Sequence, residues 1–276
     1  MQQFTKTKYM TVPSLGFGTW QLSGQHCVNA VKTALQIGYR HIDTAQIYEN
    51  EAEVGQAIAE SGINREAIFL TTKIWFTNFK AADVKSSFEE SLKKLKTDHV
   101  DLLLMHWPNR EVELKETLTA MKELQDEGKV KNIGVSNFPV ALMKQATEEL
   151  EFPIACNQVE YHALLNQKPV LDYAHEHDMV VTAYSPLARG ALSEEHTLMN
   201  IALKHNKSVS QIALRWLIEQ KNVAAIPKAS SEVHIRANFE IFNFQLDEED
   251  HKAIAGINKN TRMTNPDIAP EWDVAA

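Results

Sequence analysis

Short apolar runs alternate with longer amphipathic stretches along nearly the whole chain, and this alternation is the strongest constraint on how it can fold. Strand-length runs separated by helix-length segments make βα units, because parallel strands can be joined only through a long crossover. The apolar runs occupy residues 14–18, 41–43, 68–73, 100–106, 131–136, 156–160, 180–184 and 223–226. Helical periodicity falls between them, over residues 29–36, 51–60, 83–94, 114–127, 141–148 and 168–177. The seventh and eighth runs are separated by two helical segments, 198–205 and 210–219, and a further helix is expected over 248–256. Asn50 and Glu53 have the spacing of a capping box, which predicts that the second helix carries its own N-cap.

Eight such units without a composition break, linker or repeat favour a closed (β/α)8 TIM barrel over a doubly wound sheet. A single domain spanning residues 1–276 is within the size range of such barrels. Residues 3–12 alternate weakly and predict an N-terminal β-hairpin covering the N-terminal end of the barrel, while the helical segments beyond the eighth unit are extra C-terminal helices.

Charge narrows the partners. Lys and Arg total 28 against 36 Asp and Glu, a net charge of −8, whereas a nucleic-acid partner needs clustered cations to displace counterions. The densest basic cluster, Lys93, Lys94 and Lys96, follows Glu89 and Glu90 and reads as the solvated C-terminal end of a helix. Nucleic acid is therefore not an expected partner. The N-terminal residues contain no apolar leader-like run, and no run approaches the length needed to cross a bilayer, so no membrane partner and a cytoplasmic location are expected. Cys27 and Cys156 lie far apart without metal-ligand or redox spacing, and core packing in a reducing compartment is the reading they support. No segment has the look of an obligate interface, and a monomer is the expected state.

The familiar phosphate cradles are missing. The stretch GFGTWQLSG from Gly16 has the first two glycines of a dinucleotide fingerprint, but the third falls on Gln21, and no P-loop occurs. Barrels instead hold phosphates in the loops after the seventh and eighth strands, near helix N-termini. Those loops read YSPLARG, residues 184–190, and IPKASSEVHIRAN, residues 226–238. The second carries Lys228, Ser230, Ser231, His234 and Arg236 around a helix start, with Asn238 at its end, a pattern that fits an anionic phosphate and equally fits a solvated helix start.

Barrel enzymes place their chemistry at the C-terminal ends of strands. The polar residues at those ends are Asp43, Lys73 and His106, and Tyr48 follows Asp43 on a short loop. An ion pair of Asp43 with Lys73, a core histidine and a packed tyrosine would each be ordinary taken alone; all four at adjacent strand ends point to a site. A phenol with an ordinary pKa near 10 becomes a useful acid when a cation lowers that value. Lys73 can supply the cation, Asp43 can orient it, and Tyr48 can then protonate an oxygen on which charge develops, with His106 donating a second hydrogen bond. Reduction of an aldehyde or ketone needs such groups, together with a cofactor to supply hydride. His175 and His177 are two apart and would face apart on a helix, and no metal-ligand pattern is present, so no metal is expected.

These residues resemble the aldo-keto reductases over nearly the full chain. The segments GYRHIDTAQIYENEAEVG (38–55) and KNIGVSNF (131–138) are similar to two family signatures, and TTKIW (71–75) and LLLMHWP (102–108) to the segments holding the family's catalytic lysine and histidine. The resemblance implies a catalytic tetrad of Asp43, Tyr48, Lys73 and His106 with Tyr48 as proton donor. It implies that Ser136, Asn137 and Gln158 bind the nicotinamide amide, that Tyr184 stacks on the nicotinamide ring, and that Ser185 and Leu187 lie along the pyrophosphate. Trp20, Trp75 and Trp107 match substrate-pocket positions, with core packing as the plainer alternative. Within the family the closing IAPEWD and the segment around Glu51 look most like the bacterial 2,5-diketo-D-gluconate reductases, which implies small polar carbonyls such as 2,5-diketo-D-gluconate or methylglyoxal.

One loop departs from the family pattern. The third signature has Ser or Thr after the lysine and, further on, an arginine for the adenosine 2′-phosphate; here these are Ala229 and His234, with Lys228 kept and Ser230, Ser231 or Arg236 placed to compensate. NADPH is expected to be preferred, with appreciable use of NADH. The rival reading is a non-catalytic NADPH-binding redox sensor or regulatory subunit, which would keep the same four residues.

Overall fold

In the computed structural model, which describes residues 2–273, eight parallel strands form one sheet. Met1 and residues 274–276, the ends of the expected domain, lie outside the described residues. The N-terminal strands β1 (Phe4–Lys6) and β2 (Thr11–Pro13) pair antiparallel as a hairpin. The parallel strands follow in chain order as β3 (Phe17–Gly18), β4 (His41–Asp43), β5 (Phe69–Ile74), β6 (Val100–Met105), β7 (Val130–Ser136), β8 (Ile154–Glu160), β9 (Val180–Tyr184) and β10 (Val223–Ala225). Each pairs with its neighbour in sequence, as eight successive βα units require.

The sheet closes on itself. Leu15 bridges Ala225, the Gly16 amide donates to the Ala225 carbonyl at 2.8 Å, and the Gly18 amide donates to the Pro227 carbonyl at 3.0 Å. The run expected as one strand over residues 14–18 thus divides between two partners, residues 14–16 facing β10 and β3 facing β4. Such a stagger accompanies barrel closure. The two glycines of the incomplete fingerprint serve this closure. A Cβ at Gly16 would sit 2.6 Å from His41 Nδ1, and one at Gly18 would sit 2.8 Å from the Ile226 carbonyl oxygen.

Strand side chains alternate between two apolar cores. Leu102 and Leu104 point inward and meet Ala155, Cys156, Val180 and Ala224, and the hairpin caps this interior with Met10 and Val12. Leu103 and Met105 point outward into the larger core beneath the helices. β6 and β8 are buried along their whole length, as strands of a parallel sheet covered on both faces are, and the polar residues they carry, Asp101, Asn157, Gln158 and Glu160, are buried with them.

The helices are α1 (Gly24–Ile37), α2 (Glu51–Glu60), α3 (Ala81–Leu95), α4 (Leu114–Asp126), α5 (Val140–Lys144), α6 (Lys168–Glu176), α7 (His196–His205), α8 (Val209–Ile218), α9 (Glu232–Phe239) and α10 (Glu248–Ala255). Two helices, α7 and α8, separate β9 from β10, as the longer spacing there indicates. The helix expected over 141–148 is shorter, because α5 widens into a π-helical turn over Gln145–Glu149. Cys27 and Cys156 are buried free thiols whose burial pushes both pKa values up to about 12.

Candidate active site

Three strand ends and one turn converge on one cavity. Asp43 ends β4, Lys73 lies one residue before the end of β5, His106 follows β6, and Tyr48 ends a 3-10 turn over Gln46–Tyr48. Lys73 and Asp43 are 0% and 1% exposed. The Lys73 ammonium donates to Asp43 Oδ1 at 2.6 Å, to the Thr44 carbonyl at 2.8 Å and to the Tyr48 hydroxyl at 3.3 Å. Asp43 Oδ2 accepts from Gln158 Nε2 at 2.7 Å. A buried ion pair survives when such bonds replace the lost water. Burial works against the Lys73 charge, yet Asp43 and Tyr48 outweigh it and hold the ammonium above the ordinary lysine value.

Tyr48 departs from the expected direction. The cation is in place and pulls the phenol downward, but burial of the hydroxyl, with Asp43 beside it, pushes the pKa above its usual value. The resting phenol therefore keeps its proton firmly. His106 is held well below the ordinary imidazole value, first by burial and then by the Lys73 charge, so the ring is neutral at pH 7. It stands edge-on to Tyr48 and Trp75, at centroid distances of 5.6 and 5.3 Å. Its Nδ1 has no hydrogen-bond partner among the described residues.

Asn50 corrects a sequence expectation. It occupies the N-cap position of α2 but makes no side-chain cap bond. Its amide instead donates to the Thr19 and Leu22 carbonyls at 2.8 and 2.9 Å, and its oxygen accepts from Thr44 Oγ1 at 2.7 Å. The side chain spans two buried loops and ties the Trp20 loop to the backbone that receives Lys73. Bonding two backbone carbonyls in the interior outweighs a cap that water can replace. Gln46 does similar work on the other side. Its oxygen accepts from the Trp75 amide at 2.9 Å and from Asn78 Nδ2 at 3.2 Å, which joins the Tyr48 turn to the Trp75 loop.

The residues expected at a nicotinamide lie across from this cluster. Ser136 and Asn137 are buried and largely occupied with each other and the backbone: Ser136 Oγ donates to the Gln158 carbonyl, and Asn137 Nδ2 donates to Ser136 Oγ and to the His106 carbonyl. Tyr184 donates to Asn137 Oδ1 at 2.8 Å. Gln158 spends its amide nitrogen on Asp43 and lines the cavity, while its Oε1 has no donor among the described residues. Ser185, at φ 46, also lines the cavity, whereas Leu187 packs against the core. Backbone strain of this kind gathers at sites that hold ligands.

The phosphate-loop candidates are less organised. Lys228 lines the cavity rim. Ser231 is the N-cap of α9, its oxygen accepting from the His234 amide, and Ser230, Ser231 and His234 all face solvent. Asn238 is buried on the far turn of that helix. Arg236 is engaged with Glu232 at 2.9 Å. Ala229 packs into the core.

The cavity has a volume of about 300 Å³ and is lined by Asp43, Tyr48, His106, Trp20, Trp75 and Trp107 among others. Trp20 is 40% exposed at its mouth. Sequence reasoning missed Ile47, Arg189 and Thr264, which also line it. The Arg189 guanidinium lies 5.1 Å from the Trp20 ring centre and donates to Thr264 Oγ1 at 2.8 Å. Trp272, from the segment read only as a family ending, packs edge-on against Trp107 at 6.2 Å. No periodicity marks these residues, since they reach the site from irregular backbone. Among the described residues no group of three or more His, Cys, Asp and Glu is placed to hold a metal ion, and no helix is long and apolar enough to cross a membrane.

Known proteins share this fold. The sequence profile of the Aldo/keto reductase family matches residues 14–259. A methylglyoxal reductase, DkgB, of Escherichia coli O157:H7 is 42% identical over 96% of this chain and 100% of its own length. A glyoxal reductase of Bacillus subtilis (strain 168) is 41% identical over 93% of each chain. A crystal structure whose protein is provisionally assigned as a 2,5-diketo-D-gluconic acid reductase B superposes with a TM-score of 0.96 at 43% identity, covering 99% of this chain and 98% of the other.

Proposed function

This chain belongs to the aldo/keto reductase family and is an oxidoreductase of carbonyl groups; on that premise we propose that it reduces small polar aldehydes and ketones with NADPH, using Tyr48 as proton donor. The observation that carries this reading is the buried Asp43–Lys73–Tyr48 chain, which ends with Tyr48 and His106 in the wall of the cavity. A carbonyl oxygen between the Tyr48 hydroxyl and the His106 ring would receive two hydrogen bonds, one from each. As negative charge develops there, the Tyr48 proton moves to the oxygen and completes the alcohol. The phenolate left behind faces the Lys73 ammonium, and Asp43 keeps that ammonium charged. A neutral His106 donates without competing for the proton, which its depressed pKa ensures.

The residues present fit a reduced nicotinamide dinucleotide. Gln158 Oε1 is an open acceptor in the wall, the Tyr184 ring borders the same cavity, and Lys228 sets a cation on the rim near the start of α9. When bound there, the nicotinamide supplies the hydride. Ser136, Asn137 and Gln158 would hold its amide, Tyr184 its ring, Ser185 and Leu187 its pyrophosphate. Lys228, Ser230, Ser231, His234 and Asn238 would face the adenosine phosphate. Trp20, Trp75 and Trp107 would enclose the substrate. Methylglyoxal and 2,5-diketo-D-gluconate suit a cavity of this size, and a cytoplasmic monomer is the proposed working form.

Loss of NADPH absorbance with methylglyoxal, 4-nitrobenzaldehyde and 2,5-diketo-D-gluconate tests the reading. Sustained turnover, with kcat/KM for NADPH above that for NADH, is expected. Tight NADPH binding with no turnover on any of the three would mark a redox sensor instead, and an equal or larger kcat/KM with NADH would reverse the cofactor preference.

A further inference from the structure

We propose that Glu160 is a positioning residue whose carboxylate fixes the C-terminal wall of the carbonyl pocket, an inference that rests on reading the cavity as that pocket. Glu160 ends β8, two residues beyond Gln158 and on the same face of the strand. It is completely buried, and the proton-transfer chemistry makes no use of it. Its Oε1 accepts from the Met263 amide at 2.6 Å and from His162 Nε2 at 2.9 Å, and its Oε2 accepts from the Thr264 amide at 2.7 Å. His162 is buried too, and its Nδ1 accepts from the Leu164 amide at 3.3 Å, which assigns the ring proton to Nε2. A carboxylate met by three donors in a dry setting forms strong, directional bonds.

The residues it grips belong to the far end of the chain. Among the described residues, Glu160 is the only strand residue that accepts from backbone amides of the segment 261–273. That segment brings Thr264 into the cavity wall, where it receives the Arg189 guanidinium, and brings Trp272 against Trp107. Arg262 lies over the Trp272 ring at 3.8 Å, so the two ends of the segment pack against each other. The clamp thus transmits the position of a barrel strand to a wall that has no strand of its own. Asp43, Lys73, Tyr48 and His106 are held by β4, β5 and β6 and take no bond from the segment. Loosening the clamp should therefore cost substrate binding and leave the chemical step alone.

Glu160→Gln keeps the shape but offers one acceptor oxygen to three donors and turns an N–H₂ toward another. Steady-state kinetics are expected to show KM for 4-nitrobenzaldehyde raised about tenfold, with kcat and the dissociation constant of NADPH within about twofold of wild type. Trypsin cleavage after Lys259 and Arg262, followed by mass spectrometry on the full chain, is expected to accelerate about tenfold as the segment opens locally. Should the buried substitution prevent folding, Met263→Pro removes one clamped N–H at a residue outside the cavity lining, and Met263→Leu retains that N–H as its control. Pro but not Leu is expected to reproduce the KM and cleavage changes. Unchanged cleavage, unchanged KM, or a loss of kcat equal to the change in KM would each overturn the proposal. If wild type reduces no aldehyde with either dinucleotide, the reductase reading fails, and cleavage alone still decides whether Glu160 holds the segment.

Discussion

The two ends of the site are built differently. At the carbonyl end, Lys73 is fully buried, donates to three named acceptors and belongs to a strand; at the proposed phosphate end, Lys228, Ser230, Ser231 and His234 are exposed, on the loop before α9 and on its first turn. The first arrangement fixes geometry before any ligand arrives, which is what preorganised electrostatic catalysis requires. The second leaves its side chains to be ordered by the ligand, so each contact is worth less. The difference separates what the enzyme does from which dinucleotide it does it with.

Removing the cation should show the contrast at its largest. Lys73→Met leaves the phenolate without a counter-ion and Asp43 without its partner. It is expected to lower kcat by about 10² to 10⁴, the range for a general acid, while NADPH titration by fluorescence shows little change. A loss confined to NADPH affinity would break the comparison, because it would move Lys73 to the cofactor end.

Burial in the barrel interior beneath the carbonyl end also predicts an acid sensitivity. His41, beside Asp43 and completely buried, has its pKa pushed down to about 4, chiefly by burial. Its folded value lies below its unfolded one, so the stability it contributes is complete above the unfolded value, about 6.5, and is lost as pH falls toward 4. A shift of this size is worth about 3 kcal/mol. Urea unfolding of wild type and His41→Gln at pH 7 and pH 4.5 should show the wild type losing more stability on acidification. Equal losses would mean that this interior tolerates the charge.

The smallest effect belongs to the exposed end. His234→Arg restores a cation at the first turn of α9, where the sequence departs from the family. It is expected to tighten NADPH by about fivefold, or about 1 kcal/mol, with NADH affinity unchanged. Tightening of both dinucleotides alike would show that position 234 does not face the 2′-phosphate.

The same contrast explains what could be read from sequence. Asp43, Lys73 and His106 are legible because a polar residue closing an apolar run of a parallel strand stands out against its neighbours. The eight strands are legible for the same reason, and β4 and β9 have the bounds their apolar runs predict. Asn50 misleads because its local spacing fits a cap, whereas its actual partners, Thr19 and Leu22, lie about thirty residues away. Periodicity carries no information on bonds of that range. Arg189 and Thr264 stay hidden because they reach the cavity from irregular segments, and Trp272 because the Trp107 ring it packs against lies far away in the sequence. Glu160 resembles any strand-terminal acid until the end of the chain is seen folded back onto it. The rise in the Tyr48 pKa was equally illegible, since it turns on how deeply the hydroxyl is buried rather than on which cation is near.

The most direct test of the account is Tyr48→Phe, measured as NADPH-dependent reduction of methylglyoxal beside NADPH binding. The substitution removes one oxygen and leaves the ring packed against His106. The predicted result is a fall in kcat of about 10² to 10⁴ with the dissociation constant of NADPH close to wild type. Turnover that persists at the wild-type rate would contradict the assignment of Tyr48 as the proton donor.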